Sequence, residues 1–171
     1  MTGHVILSHG LQSSPDATKA SAMARLALEL GWSEQRPDYR DLDAVSELGD
    51  VLGRIERLKA RARATQGPLV LAGSSMGAFI SARVSLDVPV AGLFLIAPPI
   101  HLQGYAIGLE AARVPTCIVH GWRDELIPAM QVVDWAQSRR DRLVMLDDGH
   151  RLAEHVDVCA ELFARFLRNL A

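Results

Sequence analysis

Leu69-Val70-Leu71-Ala72-Gly73-Ser74-Ser75-Met76-Gly77 passes from an unbroken apolar run, through the pattern G-x-S-x-G, into a helical pattern that starts at about Met76. An apolar run with no alternation suits a parallel strand covered on both faces. The glycines at Gly73 and Gly77 suit a sharp strand-to-helix turn, where neighbouring backbone segments come too close for side chains. Such a turn lifts the central serine, Ser75, above the end of the sheet and aims the N-terminus of the next helix at it. Ser74 occupies the variable position of the pattern and is expected to point elsewhere.

The same strand, turn and helix pattern extends in both directions. Further apolar runs lie at residues 5–8, 90–97, 116–120 and 143–146, with a weaker one at 33–37. Helical spacing marks residues 15–30, with Ser14 as N-cap, Pro15 in the first turn and Gly31 past the end. It also marks residues 44–63, where Val45, Leu48, Leu52, Ile55 and Leu58 share a face and Glu47, Asp50, Arg54 and Arg57 form the opposite, solvent-facing one. Two more helices are expected, over residues 128–137 and from Leu152 onward. Strands alternating with helices imply right-handed βαβ units in a three-layer α/β/α domain with a mainly parallel sheet of about six strands. The whole span 1–171 reads as one domain. In such sheets ligands bind beyond the carboxyl ends of the strands.

A serine hydroxyl is a weak nucleophile and needs a base. His150, in Asp147-Asp148-Gly149-His150, follows an apolar run and a glycine turn, which places it at the same sheet edge. The base in turn needs an acceptor to fix its tautomer. Asp124, in His120-Gly121-Trp122-Arg123-Asp124, is the favoured acceptor, with Glu125, Asp147 and Asp148 as rivals. Negative charge developing on a substrate carbonyl needs N–H donors. The backbone N–H of Met76 is one candidate. Leu11, in Ser8-His9-Gly10-Leu11-Gln12, is the other, with His9 shaping that loop. Gln12, His101, Tyr105, Trp122 and Ile127 fall in loops at this edge and are candidate substrate contacts. Arg40, Arg123 and Arg151 lie near it too and read as surface charge.

The chain has 171 residues, 49% of them hydrophobic and 22% charged, with a formal net charge of −2. A near-neutral, dispersed charge gives no reason to expect nucleic acid or a membrane surface as partner. No apolar run approaches the ~20 residues that cross a bilayer, and the start Met1-Thr2-Gly3-His4 lacks a basic signal-like region. A cytoplasmic location is expected, with Cys117 and Cys159 as buried free thiols. No metal-ligand cluster, phosphate loop or dinucleotide fingerprint is present, so no cofactor is implied.

Ser8-His9-Gly10-Leu11, Gly73-Ser74-Ser75-Met76-Gly77, His120-Gly121-Trp122-Arg123-Asp124 with Ile127-Pro128, and Gly149-His150 together resemble the α/β-hydrolase superfamily, most closely its short, lidless bacterial esterase-like members. The resemblance implies Ser75, Asp124 and His150 as catalytic residues, Leu11 and Met76 as oxyanion donors, and a sheet in the order 2-1-3-4-5-6 without the extra antiparallel strands of larger members. Only residues 98–114 separate the fourth strand from the fifth, too few for a large lid, so a small acyl substrate is expected. Ester hydrolysis through an acyl-enzyme is the leading expectation. Thioester or amide hydrolysis and acyl transfer would use the same groups, and a non-catalytic binding protein on this fold is the alternative of a different class.

Overall fold

The computed structural model describes residues 2–170, so Met1 and Ala171, the ends of the expected 1–171 domain, lie outside the described residues. Six strands are present: β1 Gly3–Ser8, β2 Trp32–Gln35, β3 Leu69–Ser74, β4 Gly92–Ile96, β5 Thr116–Gly121 and β6 Arg142–Leu146. All pair in parallel, in the order β2-β1-β3-β4-β5-β6. The order reverses between β1 and β3, and the loops after these two strands part there to leave a crevice.

Successive side chains of the central strands point to opposite faces, and each face has its own core. Leu69 and Leu71 pack with Ile55 and Leu58 of α3 (Val51–Arg63), Phe79 and Ile80 of α4 (Met76–Val84), and Val132 of α5 (Ala129–Arg139). Val70 and Ala72 pack with Met23 and Ala27 of α1 (Thr18–Glu29) and Phe163 of α6 (Val156–Arg168). Burial on both faces is why these strands read as continuous apolar runs. Cys117 and Cys159 are free and buried, and burial pushes both thiols up to about 11. Among the described residues no helix is long and apolar enough to cross a membrane.

Three helices depart from the sequence expectation, the last because α6 begins at Val156, after a single 3-10 turn at Ala153–His155, and not at Leu152. The first begins at Thr18, not Pro15, because Ser14 closes a turn. Its carbonyl accepts from Ala17 N–H and its hydroxyl from Asp16 N–H, and Ala17 precedes the helix without a side-chain cap. The expected helix over 44–63 is broken. A single turn, α2 (Arg40–Asp43), is followed by a loop that reverses at Gly49, φ +66°, a conformation that favours glycine. Asp50 then caps α3 by accepting Gly53 N–H at 2.8 Å. The break resets the helical phase. Val45, Leu48 and Leu52, expected on the apolar face, are exposed, whereas Arg54, expected in solvent, is fully buried.

Candidate active site

Ser75 sits between β3 and α4 with φ 53° and ψ −118°, a strained conformation for a residue with a Cβ. Packing enforces it. A Cβ on Gly73 would lie 2.2 Å from the Gly77 backbone, and one on Gly77 would lie 2.0 Å from Ser8 O. The bare glycines therefore let the elbow close against β1. Ser75 N–H donates to Ile96 O at 2.8 Å, while Ser75 O accepts from Ala78 and Phe79 N–H as the helix starts.

His150 and Asp124 arrive from the loops after β6 and β5. His150 Nδ1 lies 2.8 Å from Asp124 Oδ2, and His150 Nε2 lies 3.0 Å from Ser75 Oγ. A carboxylate can only accept, so Nδ1 carries the proton and Nε2 is left to accept from the serine hydroxyl. The other Asp124 oxygen, Oδ1, accepts Leu126 and Ile127 N–H at 2.9 and 2.8 Å. Burial alone would push the Asp124 carboxyl up. The hydrogen bonds from His150 and from the Ile127 and Leu126 N–H groups outweigh it and hold its pKa below the usual value. Behind this loop the buried His120 donates through Nε2 to Ile127 O at 3.1 Å.

The rival acids are occupied elsewhere. Glu125 Oε2 accepts the His150 backbone N–H at 3.0 Å, so it steadies the residue but does not touch the ring. Asp147 pairs with Arg123 at 2.6 Å. Asp148 folds its own turn, accepting from Gly149 N–H, Glu154 N–H and His155 Nδ1.

A cavity of about 770 Å³ opens beside Ser75 and His150 toward α1. Its walls are partly apolar, with Leu7, Met23, Ile96 and Val156, and its rim carries Leu11 and Gln12. Neither Leu11 N–H nor Met76 N–H has a hydrogen-bond partner among the described residues. Of the five candidate substrate contacts only Gln12 lines this cavity. His101 and Trp122 are exposed away from it, Ile127 is buried in the core, and Tyr105 packs edge-on against Phe79 at 5.5 Å. Ser74, expected to point elsewhere, lines the cavity, as does Arg151, whereas Arg40 and Arg123 are paired with Asp38 and Asp147. Among the described residues no group of three or more His, Cys, Asp or Glu side chains is placed to hold a metal ion.

The arrangement can pass a proton from a serine hydroxyl to a histidine whose far nitrogen faces a buried carboxylate. No curated protein matches the chain. Among solved structures, a protein of Xanthomonas campestris pv. campestris provisionally described as a hydrolase of the alpha/beta superfamily is 52% identical, with a TM-score of 0.95 over 98% of this chain and 99% of that one. An alpha-beta serine hydrolase homologue from Coxiella burnetii is 26% identical, with a TM-score of 0.74 over 100% of this chain and 86% of that one. A serine hydrolase without lid from Xanthomonas campestris shares the fold at 23% identity and a TM-score of 0.71, over 99% of this chain and 83% of that one. A family model for the alpha/beta hydrolase domain matches residues 3–157, and this chain accordingly belongs to the alpha/beta hydrolases.

Proposed function

We propose that this hydrolase cleaves small carboxylic esters through an acyl-enzyme on Ser75. The observation that carries the reading is the unbroken line of hydrogen bonds from Ser75 Oγ through His150 to Asp124, beside a cavity that Ser75 and Leu11 line. Ser75 Oγ attacks the ester carbonyl carbon while His150 Nε2 takes the hydroxyl proton. Asp124 stabilises the imidazolium that forms. The carbonyl oxygen becomes an oxyanion held by the Leu11 and Met76 N–H groups. As the tetrahedral species collapses, the bond to the alkoxy oxygen breaks, and that oxygen leaves with the proton from His150. Water then attacks the acyl-enzyme by the same route, returning the free acid and the serine hydroxyl. Thioesters would follow the same path.

The lack of room for a large lid in residues 98–114 favours short or compact acyl groups. Each further methylene gains about 0.8 kcal/mol only where a wall removes it from water. The test is hydrolysis of nitrophenyl esters of increasing chain length by the purified protein and by its Ser75→Ala and His150→Ala variants. Two- to six-carbon acyl esters should be cleaved, and both variants should lose nearly all activity. Hydrolysis that survives Ser75→Ala, or none with any ester, would overturn the reading.

A further inference from the structure

The loop that carries Leu11 is gripped from beneath by a buried ion pair that helical periodicity hides. Arg54, in the first turn of α3, is 0% exposed, and Asp43, at the end of α2, is 9% exposed. Arg54 Nε and Nη2 donate to Asp43 Oδ1 and Oδ2 at 2.7 and 2.6 Å. The remaining donors reach the loop: Nη1 to His9 O at 2.8 Å and Nη2 to Gly10 O at 3.1 Å. Asp43 Oδ2 accepts Gln12 N–H at 3.3 Å. The pair thus holds the chain immediately before and immediately after Leu11.

Gly10 C=O and Leu11 N–H belong to one planar trans peptide, in which the two bonds point in opposite directions. Fixing the carbonyl therefore fixes the direction of the N–H. Gly10 O is held three times over, by Arg54, by His9 Nδ1 at 2.8 Å and by Ser13 N–H at 3.3 Å. His9 is locked as well, because its Nε2 accepts Tyr39 N–H at 3.0 Å and leaves the proton on Nδ1. Tyr39 in turn lies under the guanidinium, 4.6 Å from ring centroid to Cζ. On the far side of Leu11, Gln12 adopts φ 56°, a strained value for a residue with a Cβ, and the Asp43 bond helps hold it there. Burying two charges is a poor way to add stability, since apolar residues of similar volume often do as well. What the charges supply is direction, with several donors and acceptors in a rigid planar fork.

We infer that the Arg54–Asp43 pair is a positioning device that aims Leu11 N–H at the developing oxyanion. The inference rests on the serine-hydrolase reading of the same site. Arg54→Lys keeps the charge and loses the fork, while Asp43→Asn keeps the shape and weakens the grip. Arg63→Lys serves as the control, because Arg63 lies exposed near the far end of the same helix, away from the loop.

The experiment titrates functional sites with a fluorophosphonate and then measures kcat per titrated site, KM, and affinity for a boronic acid that forms a tetrahedral adduct with Ser75. Removing an oxyanion donor costs about 100- to 1000-fold in kcat, and misaiming one should cost less. Both variants should therefore lose about 10- to 100-fold in kcat per titrated site, with KM within about threefold. Boronate affinity should fall alongside kcat, and the control should behave as wild type. A purely structural role would lower the number of titratable sites and leave kcat per site unchanged, so that result would overturn the inference whatever the yield. An equal loss in Arg63→Lys would overturn it as well. A folded wild type that does not label at Ser75 would overturn the underlying reading, which separates the two failures.

Discussion

Replacing Asp124 by asparagine forces a choice that the site geometry makes costly. The carboxylate presents one oxygen to His150 Nδ1–H and the other to two backbone N–H groups, those of Leu126 and Ile127. An amide has only one oxygen. If that oxygen stays with the two backbone donors, the amide N–H group faces His150 Nδ1, which must then give up its proton. The proton moves to Nε2, and the base can no longer accept from Ser75. If the amide turns over, His150 keeps its tautomer but two N–H groups lose their acceptor: that of the buried Ile127, at about 1–3 kcal/mol, and that of the exposed Leu126, which water can satisfy at little cost. The productive arrangement is thus disfavoured by about 1–3 kcal/mol, and at about 1.4 kcal/mol per factor of ten this is a loss of roughly 5- to 150-fold. The assay is kcat/KM on a short nitrophenyl ester, with far-UV circular dichroism to show that the variant is folded. A folded Asp124→Asn protein within about twofold of wild type would refute the argument that Asp124 sets the histidine tautomer.

Gly77→Ala should place a Cβ 2.0 Å from Ser8 O and 2.8 Å from His9 O, against backbone that cannot move aside without opening the elbow. A cost near the upper end for overpacking, about 3 kcal/mol, should lower Tm by about 6–12 °C in a chain of this size; a melt within 2 °C of wild type would contradict it. Stability should also decline on the acid side in two stages. Burial pushes the His9 and His120 imidazoles below their ordinary value. The unfolded chain therefore binds more protons than the folded one from about pH 6.5 downward, and stability falls as pH drops through that range. The Asp124 and Asp148 carboxyls are also held low, against burial that would raise them, by hydrogen bonds from His150 and His155 and from backbone N–H groups. Their contribution is present above the unfolded value of about 3.9 and is lost as pH falls below it. Urea unfolding from pH 8 to pH 3 should show both declines, and a flat profile would contradict the burial argument.

The strands and the elbow were legible because they depend on local pattern, whereas the strand order came only from the family resemblance. The apolar runs mark strands covered on both faces, and Gly73 and Gly77 stand where a Cβ would meet backbone. The placement of Ser75, Asp124 and His150 beyond the ends of β3, β5 and β6 was legible for the same reason. The break before α3 was harder to read, although Gly49 and Asp50 carry its signal, because a face of Val45, Leu48 and Leu52 imitates a continuous helix. That error of phase put Arg54 in solvent. Its burial depends on Asp43, His9 and Gly10, and only the folded chain brings these together. The substrate contacts were the least legible. A loop at the correct sheet edge can turn either way, so Gln12 reaches the cavity while Trp122 and His101 point to solvent.

The central claim is that Ser75 is the nucleophile, and the most direct measurement is the intact mass of the protein after reaction with a fluorophosphonate, followed by peptide mapping. The account predicts one adduct per chain, located on Ser75, lost in Ser75→Ala and greatly slowed in His150→Ala. A folded protein that takes up no label, or a Ser75→Ala variant that labels as fast as wild type, would contradict it.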